Sequence, residues 1–422
     1  MLNNLLNIFS RNKKNTSNQI LNIQNTYPSE QLFLAVNDYS KNSEIRYVGG
    51  CVRKSILNEK IDDVDLSTNL DPIQLEDCLK KNNIKYLTTG KKFGTLTALV
   101  NGFKFEITSL RKDIITDGRH AKVEYTNNWK EDAERRDFTF NSIYANINGE
   151  IFDPFNGKNH LRSGKIFFIG DPDKRIKEDY LRILRYIRFF LNYSNHPHDK
   201  NVTKAIKQNI DGIKRISKER LLDELRKIVL SSGFLKIKND KFCLEIIQLI
   251  FPQISNLEFI KKNSNEDFVK LQKSKDFILI LSLLIIDLTD NTEYFLHKFN
   301  LSNEEKNRII FLNNVFKNKL KSKYFSTQNL MKILYTYGRE RLLDIIRYQS
   351  IRYGKKENFK QKIDFFEKVE IPKFPLNANL LIDKYNFKKD KILGNKIKEL
   401  ENFWLNNNFK ISKEEVLKIV KN

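Results

Sequence analysis

Asp63 and Asp65, one residue apart in "DVDLS", are the side chains of this sequence best suited to holding metal ions. Residues two apart on a β-strand point to the same face, so a strand here would present both carboxylates together. Such a pair can hold two Mg²⁺ ions, which activate an attacking hydroxyl and neutralise a triphosphate. Glu106 in "FKFEITS" is the candidate third carboxylate, contributed by a neighbouring strand. Upstream, "VGGCVRK" sets Gly49 beside Gly50 in a chain with only 15 glycines. Two glycines let the backbone approach phosphate oxygens, and Arg53 adds a fixed charge beside them. An isolated Asp-x-Asp is common on solvated strands and turns; the preceding Gly-Gly-x-Val-Arg makes this one specific.

"EDYLRILRYIRFF" (178–190) carries a second constellation. On an ideal helix Arg182, Arg185 and Arg188 each step about 60° around the axis, with Asp179 one step further back. Taken alone, this is also the pattern of an ordinary amphipathic helix with i,i+3 ion pairs. A carboxylate–arginine pair can nevertheless choose nucleobases. Cytosine and adenine both set an exocyclic amino donor beside a ring-nitrogen acceptor, whereas uracil and guanine place a carbonyl where the amino group would be.

These residues need a sheet for the carboxylates and helices for the arginines. From Ile45 to Ile169, the short β-rich runs "EIRYVGG", "TLTALV", "FKFEITSL" and "KIFFIG" alternate with turn residues, as in a small sheet with a few helices. Beyond "GDPDKR" (170–175), apolar residues recur every three or four positions and Gly and Pro thin out, so helices dominate. We therefore expect an extension over 1–30, a catalytic head over 31–170, a helical neck over 171–260 and a helical body and tail over 261–422. No internal repeat is evident.

At 422 residues, 40% of them hydrophobic, the chain is long enough for more than one core. Its formal charge of +23 favours a polyanionic partner, although Lys-rich composition contributes to it. Residues 301–370 hold 16 Lys/Arg against 8 Asp/Glu, with Tyr335, Tyr337, Tyr348 and Tyr353 among them. That pattern suits an RNA-binding surface, and equally a solvated helix face. Cys51, Cys78 and Cys243 are scattered, as in a reducing setting. The longest uncharged apolar run, Phe277 to Ile286, is about half a bilayer span. "MLNNLLNIFSRNKKN" is apolar then basic, the reverse of a secretory signal. A cytoplasmic protein without membrane contact is expected, and oligomeric state is left open.

Taken in order, the Gly-Gly-x-Val-Arg/Asp-x-Asp stretch, "ERRDFTFNSIY" (134–144), "DPFNGKNHLRSGKIFFIG" (153–170), "EDYLRILRYIRFF" and "ISKERLLDEL" (216–225) resemble the motifs of the class II nucleotidyltransferases, the family of bacterial CCA-adding enzymes and poly(A) polymerases. "ILGNKIKELENFW" resembles the family's tail. The resemblance implies an α+β chain: a small mixed-sheet head of the DNA polymerase β superfamily, then an all-α neck, body and tail. It implies that Arg136 and Asp137 contact the nucleotide sugar, that Asp179 and Arg182 read the base, and that Arg185 and Arg188 support base or phosphate. "ISKERLLDEL" would brace the selecting helix. The partners implied are CTP, ATP and the tRNA 3′ end, with Mg²⁺ as cofactor. Alternatives are an enzyme adding only CC or only A, a poly(A) polymerase, or a silent RNA-binding protein on the same scaffold. "FGTLTA" resembles the CCA-adding members more closely. The chain departs from the family at Lys54, where the pattern has Asp; of two placements, closer to the triphosphate or solvated, we expect the second.

Three other stretches attract attention. "HPHD" (196–199) suggests a phosphohydrolase metal site but lacks a second histidine and a distant aspartate in register, so a polar loop is expected. "TTGKKFGT" (88–95) is not a P-loop, since no GxxxxGK[ST] is present. Residues 111–137 read as a long polar connection, mobile beside the site, with Trp129 either anchoring it or touching substrate.

Overall fold

The computed structural model describes residues 23–116, 121–257, 266–317, 322–353, 359–385 and 391–421, together with Ile20 and Leu320. Most of the expected 1–30 extension lies outside the described residues. The chain divides into two compact units, Met1–Cys243 and Leu244–Asn422. The change from sheet to helix at residue 171 falls inside the first.

Among the described residues the first unit holds nine strands: β1 (Ile45–Val48), β2 (Asp65–Thr68), β3 (Lys85–Leu87), β4 (Thr95–Val100), β5 (Phe103–Ser109), β6 (Arg111–Thr116), β7 (Ala121–Tyr125), β8 (Tyr144–Ala145) and β9 (Ile151–Phe152). Seven form one sheet in the order β3-β4-β5-β2-β1-β8-β9, while β6 and β7 form a separate ribbon. β2 and β5 run parallel and their neighbours antiparallel, so the sheet is mixed, as expected. Alternation buries Phe105 and Ile107 of β5 and leaves Glu106 on the open face. The helix Pro72–Lys81 covers the closed face with Leu75, Cys78 and Leu79. It starts cleanly because the Asp71 carboxylate accepts from the Ile73 and Gln74 amides at 2.8 and 2.9 Å and Pro72 needs no amide partner.

Two sequence expectations fail here. "KIFFIG" forms only an isolated bridge, Phe138 to Phe168, inside an aromatic cluster with Phe140 and Phe189. The connection over 111–137 is not a long irregular loop: β6 pairs with β7, and helix α2 (Trp129–Glu134) follows, α1 being Gly50–Ile56.

Three more helices complete the site: α3 (Pro172–Glu178), α4 (Arg182–Tyr193) and α5 (Lys218–Val229). The single helix expected through "EDYLRILRYIRFF" is broken at Asp179, whose backbone is extended (φ −154°, ψ 104°). Its carboxylate accepts from the Leu181 amide at 3.2 Å, a local side-chain turn that holds the joint between the two helices. Tyr180 lies flat against Gly212, where any Cβ would meet its ring at 2.0 Å. Asp179 therefore sits at a joint, not one step back on the same helix.

Among its described residues the second unit is built of helices joined by turns and contains no strand. Its apolar helix Phe277–Ile285 is wholly buried, which accounts for the run seen in the sequence. Arg308 anchors that helix's start, donating to Asp276 and Asp344 at 2.6 Å each. Leu381, Leu393, Leu400 and Val416 form a separate small core near the C-terminus.

Candidate active site

Asp65 is the first residue of β2 and stands directly opposite Glu106 of β5 in the parallel ladder, so both carboxylates leave the sheet on one face. Asp63 lies just before the strand and not on it; the expected strand begins two residues late. It nevertheless lines, with Asp65, an open cleft of about 760 Å³. Glu106 and Asp65 line an adjoining cavity with Thr95, Thr108 and Arg111. Burial, reinforced by Asp63 and Glu106, pushes the Asp65 carboxyl up to about 6 against the pull of Arg136 and Arg53. Hard oxygen donors crowded until they resist ionising are a fitting donor set for a divalent cation of the Mg²⁺ type.

α1 brings the next group. Gly49 adopts φ +70°, a conformation a side chain would strain, and it turns the chain from β1 into the helix. Arg53 is buried; its Nη1 donates to Asn141 Oδ1, and its guanidinium rests 4.9 Å from the Phe189 ring. Its orientation thus comes from an amide and an aromatic face, not from a carboxylate at position 54. Lys54 is not solvated as expected. It lines the cleft, with Nζ 3.0 Å from Asp62 Oδ2 and 3.8 Å from Asp63 Oδ1.

Arg136 and Asp137 reach the cleft from the turn after α2. Arg136 donates to Ser67 on β2 at 3.3 Å and to Asp132 at 3.1 Å. Asp132 is fully buried and also accepts from Tyr144 at 2.6 Å and Arg135 at 2.8 Å. Burial alone would raise its pKa, but Arg136, Arg135 and the Tyr144 hydroxyl outweigh that and hold it well below the usual carboxylate range. Asp137 is treated the same way: burial is outweighed by Arg185 and Asn141, which donate to it at 2.5 and 2.9 Å. Asp132→Asn is expected to cost about 3–5 kcal/mol, because it strands two buried guanidinium groups. Urea unfolding checks this; an unchanged unfolding free energy would show that Asp132 does not hold Arg136. The folded-state pKa lies below the unfolded value of about 3.9, so the stabilisation is complete above that pH and is lost only as pH falls below it.

The helices supply the rest. Asp179 accepts from Arg220 of α5 at 2.7 Å. Arg182 donates to Glu178 at 2.6 Å, to the Arg175 carbonyl at 2.8 Å and to the Arg135 carbonyl at 3.3 Å. Asp179 and Arg182 therefore line one cleft with different partners. Arg188 donates to buried Glu224, and its guanidinium lies 4.1 Å over Phe189. Through Arg220 and Glu224, α5 is ion-paired to Asp179 and to Arg188 of α4. Sequence reasoning missed Asp132, Asn141, Glu178 and Phe189. Glu178 was readable as the i−4 partner of Arg182; Asn141 and Phe189 carry no signal short of the folded chain.

Other expectations resolve outside the cleft. Trp129 anchors: its ring meets Tyr144 edge-on at 5.3 Å, and the Arg46 guanidinium lies 4.1 Å over it. "HPHD" has a distant partner after all, since His198 Nε2 lies 3.0 Å from Asp240, with Cys243 Sγ at 3.8 Å. The ring's other nitrogen meets Tyr186, and Asp240 also accepts the Cys243 amide, so the group ties the start of a helix to α4. In the second unit, Tyr348 is buried and Tyr335 is bonded to Glu401, which leaves Tyr337 and Tyr353 as the outward pair of the four. Among the described residues, no helix is long and apolar enough to cross a membrane.

Residues 45–167 match the family model described as the poly A polymerase head domain, and 199–257 match a probable RNA and SrmB-binding site of polymerase A. The chain is 33% identical over 393 residues to the human mitochondrial CCA tRNA nucleotidyltransferase 1, an alignment spanning 90% of this chain and 87% of the human protein. Its fold is similar to that of the Bacillus stearothermophilus CCA-adding enzyme solved with CTP (TM-score 0.72, 18% identity, 94% and 97% of the two chains). It is similar also to the Thermotoga maritima enzyme complexed with tRNA (TM-score 0.63, 20% identity, 96% and 98%).

Proposed function

The chain belongs to the family of CCA-adding tRNA nucleotidyltransferases, and we propose that it completes tRNA 3′ ends by adding CMP and AMP from CTP and ATP. The 3′-hydroxyl attacks the α-phosphorus, the bond to the bridging β-phosphate oxygen breaks, and pyrophosphate leaves. The observation that carries the reading is the convergence of Asp63, Asp65 and Glu106 beside an arginine-walled cleft. The family uses a divalent metal; we take it to be a pair of Mg²⁺ ions held by Asp63 and Asp65, with Glu106 as third carboxylate. Bound there, Mg²⁺ would make the hydroxyl a better nucleophile and neutralise charge on the triphosphate.

The chain's own groups orient the reactants. Gly49, Gly50 and Arg53 face the polyphosphate. Arg136 and Asp137 face the sugar, Arg136 being fixed by Asp132 and Asp137 by Arg185. Asp179 accepts from the amino group of cytosine or adenine while Arg182 donates to the ring nitrogen. Arg220 and Glu178 hold those two side chains in place, and Arg188 supports them through Glu224. We assign the chain to the cytoplasm, a reading supported by three free, buried cysteines.

Incubating the purified protein with tRNA lacking CCA, and with each NTP alone or paired, tests the function directly. Three added nucleotides with CTP and ATP together, and none in chelator, is the expected result. A long adenylate ladder would mark a poly(A) polymerase, one or two additions a partial enzyme, and no product a silent binding protein. Binding of tRNA should fall about 10³-fold between 50 and 200 mM salt, since phosphate contacts release counterions. A salt-independent affinity would exclude a phosphate-dominated surface.

A further inference from the structure

Lys54 gives this site a cation of its own. Its ammonium pairs with Asp62 at 3.0 Å and approaches Asp63 to 3.8 Å, with only 21% of the side chain exposed. It shares the cleft wall with Arg53 and Asp65. It places a positive charge directly beside the carboxylates proposed to hold metal. Asp63, whose side chain is 75% exposed, is the carboxylate a metal reaches most easily, and it is the one Lys54 approaches.

We propose that Lys54 makes metal loading depend on nucleotide. In the free enzyme the ammonium competes with a divalent cation for Asp63; when a nucleotide enters, the ammonium turns to the polyphosphate and Asp63 is released. This rests on the assignment of Asp63 and Asp65 to metal. A unit charge about 5 Å from a dication in a water-exposed cleft weakens its binding on the order of tenfold. By reciprocity, nucleotide and metal must then each tighten the other.

The test is Mn²⁺ binding to the full chain, followed by electron paramagnetic resonance, with and without α,β-methylene-ATP. Without nucleotide, Lys54→Met should bind Mn²⁺ about tenfold tighter than wild type, and the tightening produced by the analogue should shrink by a similar factor. Lys54→Arg should behave as wild type, and melting curves confirm that each variant is folded. Equal Mn²⁺ affinity in wild type and Lys54→Met overturns the role of Lys54, provided that Asp65→Asn abolishes the binding. If binding in Lys54→Met survives Asp65→Asn, the carboxylates are not the metal site and both readings fall together.

Discussion

Asp65→Asn will lower nucleotide incorporation by about 10³-fold or more, with tRNA affinity close to wild type and a melting temperature no lower. The loss follows from the several kcal/mol that a bound cation contributes to a developing phosphoryl charge. The amide keeps the size and one acceptor but surrenders the charge that holds the cation. Stability should survive because the ionised carboxylate is buried beside Asp63 and Glu106, an arrangement that costs the fold something when no metal is present. Unchanged tRNA affinity follows because phosphate contacts come from lysines and arginines elsewhere. Asp63→Asn should act in the same direction, though Asp63 is more exposed and precedes the strand. Gel assays over a Mg²⁺ series, with filter binding and thermal melts alongside, decide it. Near-wild-type incorporation at saturating Mg²⁺ would remove Asp65 from the metal site. A large drop in melting temperature would give it a structural role instead.

What could be read from the sequence was local and what could not was long-range. Asp65 and Glu106 were legible as one face because each sits on a strand, whereas Asp63 precedes β2 and reaches the cleft without that alternation. The Asp65–Glu106 juxtaposition needed only that the two strands pair. The β6–β7 ribbon was hidden by its composition, since "RKDIIT" has no apolar alternation to betray a strand. A helix through 178–190 was the natural inference from i,i+3 spacing, and it failed at one residue. The Asp179 carboxylate takes the Leu181 amide, and Tyr180 packs against Gly212. Lys54 was misjudged for a related reason: solvation is the default for a lysine on a short helix, and only the folded chain brings Asp62 and Asp63 back alongside it. Asp132 on α2 had readable local partners in Arg135 and Arg136, but its burial against Tyr144 of β8 appears only in the folded chain.

The break at Asp179 changes how base choice should be tested. On one continuous helix, Asp179 and Arg182 would be i,i+3 partners and removing either would disturb the other. In the folded chain Asp179 is held by Arg220, and Arg182 by Glu178 and two backbone carbonyls, so the two side chains can be altered separately. Asp179→Ala should leave the amino group of C or A without its acceptor, at roughly 1–3 kcal/mol, or about ten- to hundredfold in discrimination. The carbonyl of U or G no longer meets a carboxylate, so UTP and GTP should gain in relative terms. Arg220→Ala should push selection the same way but less far, because the carboxylate remains and only its orientation loosens. Arg182→Ala should depress CTP and ATP together, since both ring nitrogens call on the same donor, and should also lower the melting temperature by cutting the tie to the Arg135 carbonyl. A purely structural role for these residues predicts falling melting temperatures with the ratios among the four nucleotides intact. Incorporation of each NTP by the three variants, set beside their thermal melts, separates the two. If Asp179→Ala melts lower yet ranks the four nucleotides as wild type does, Asp179 braces the joint and something else reads the base.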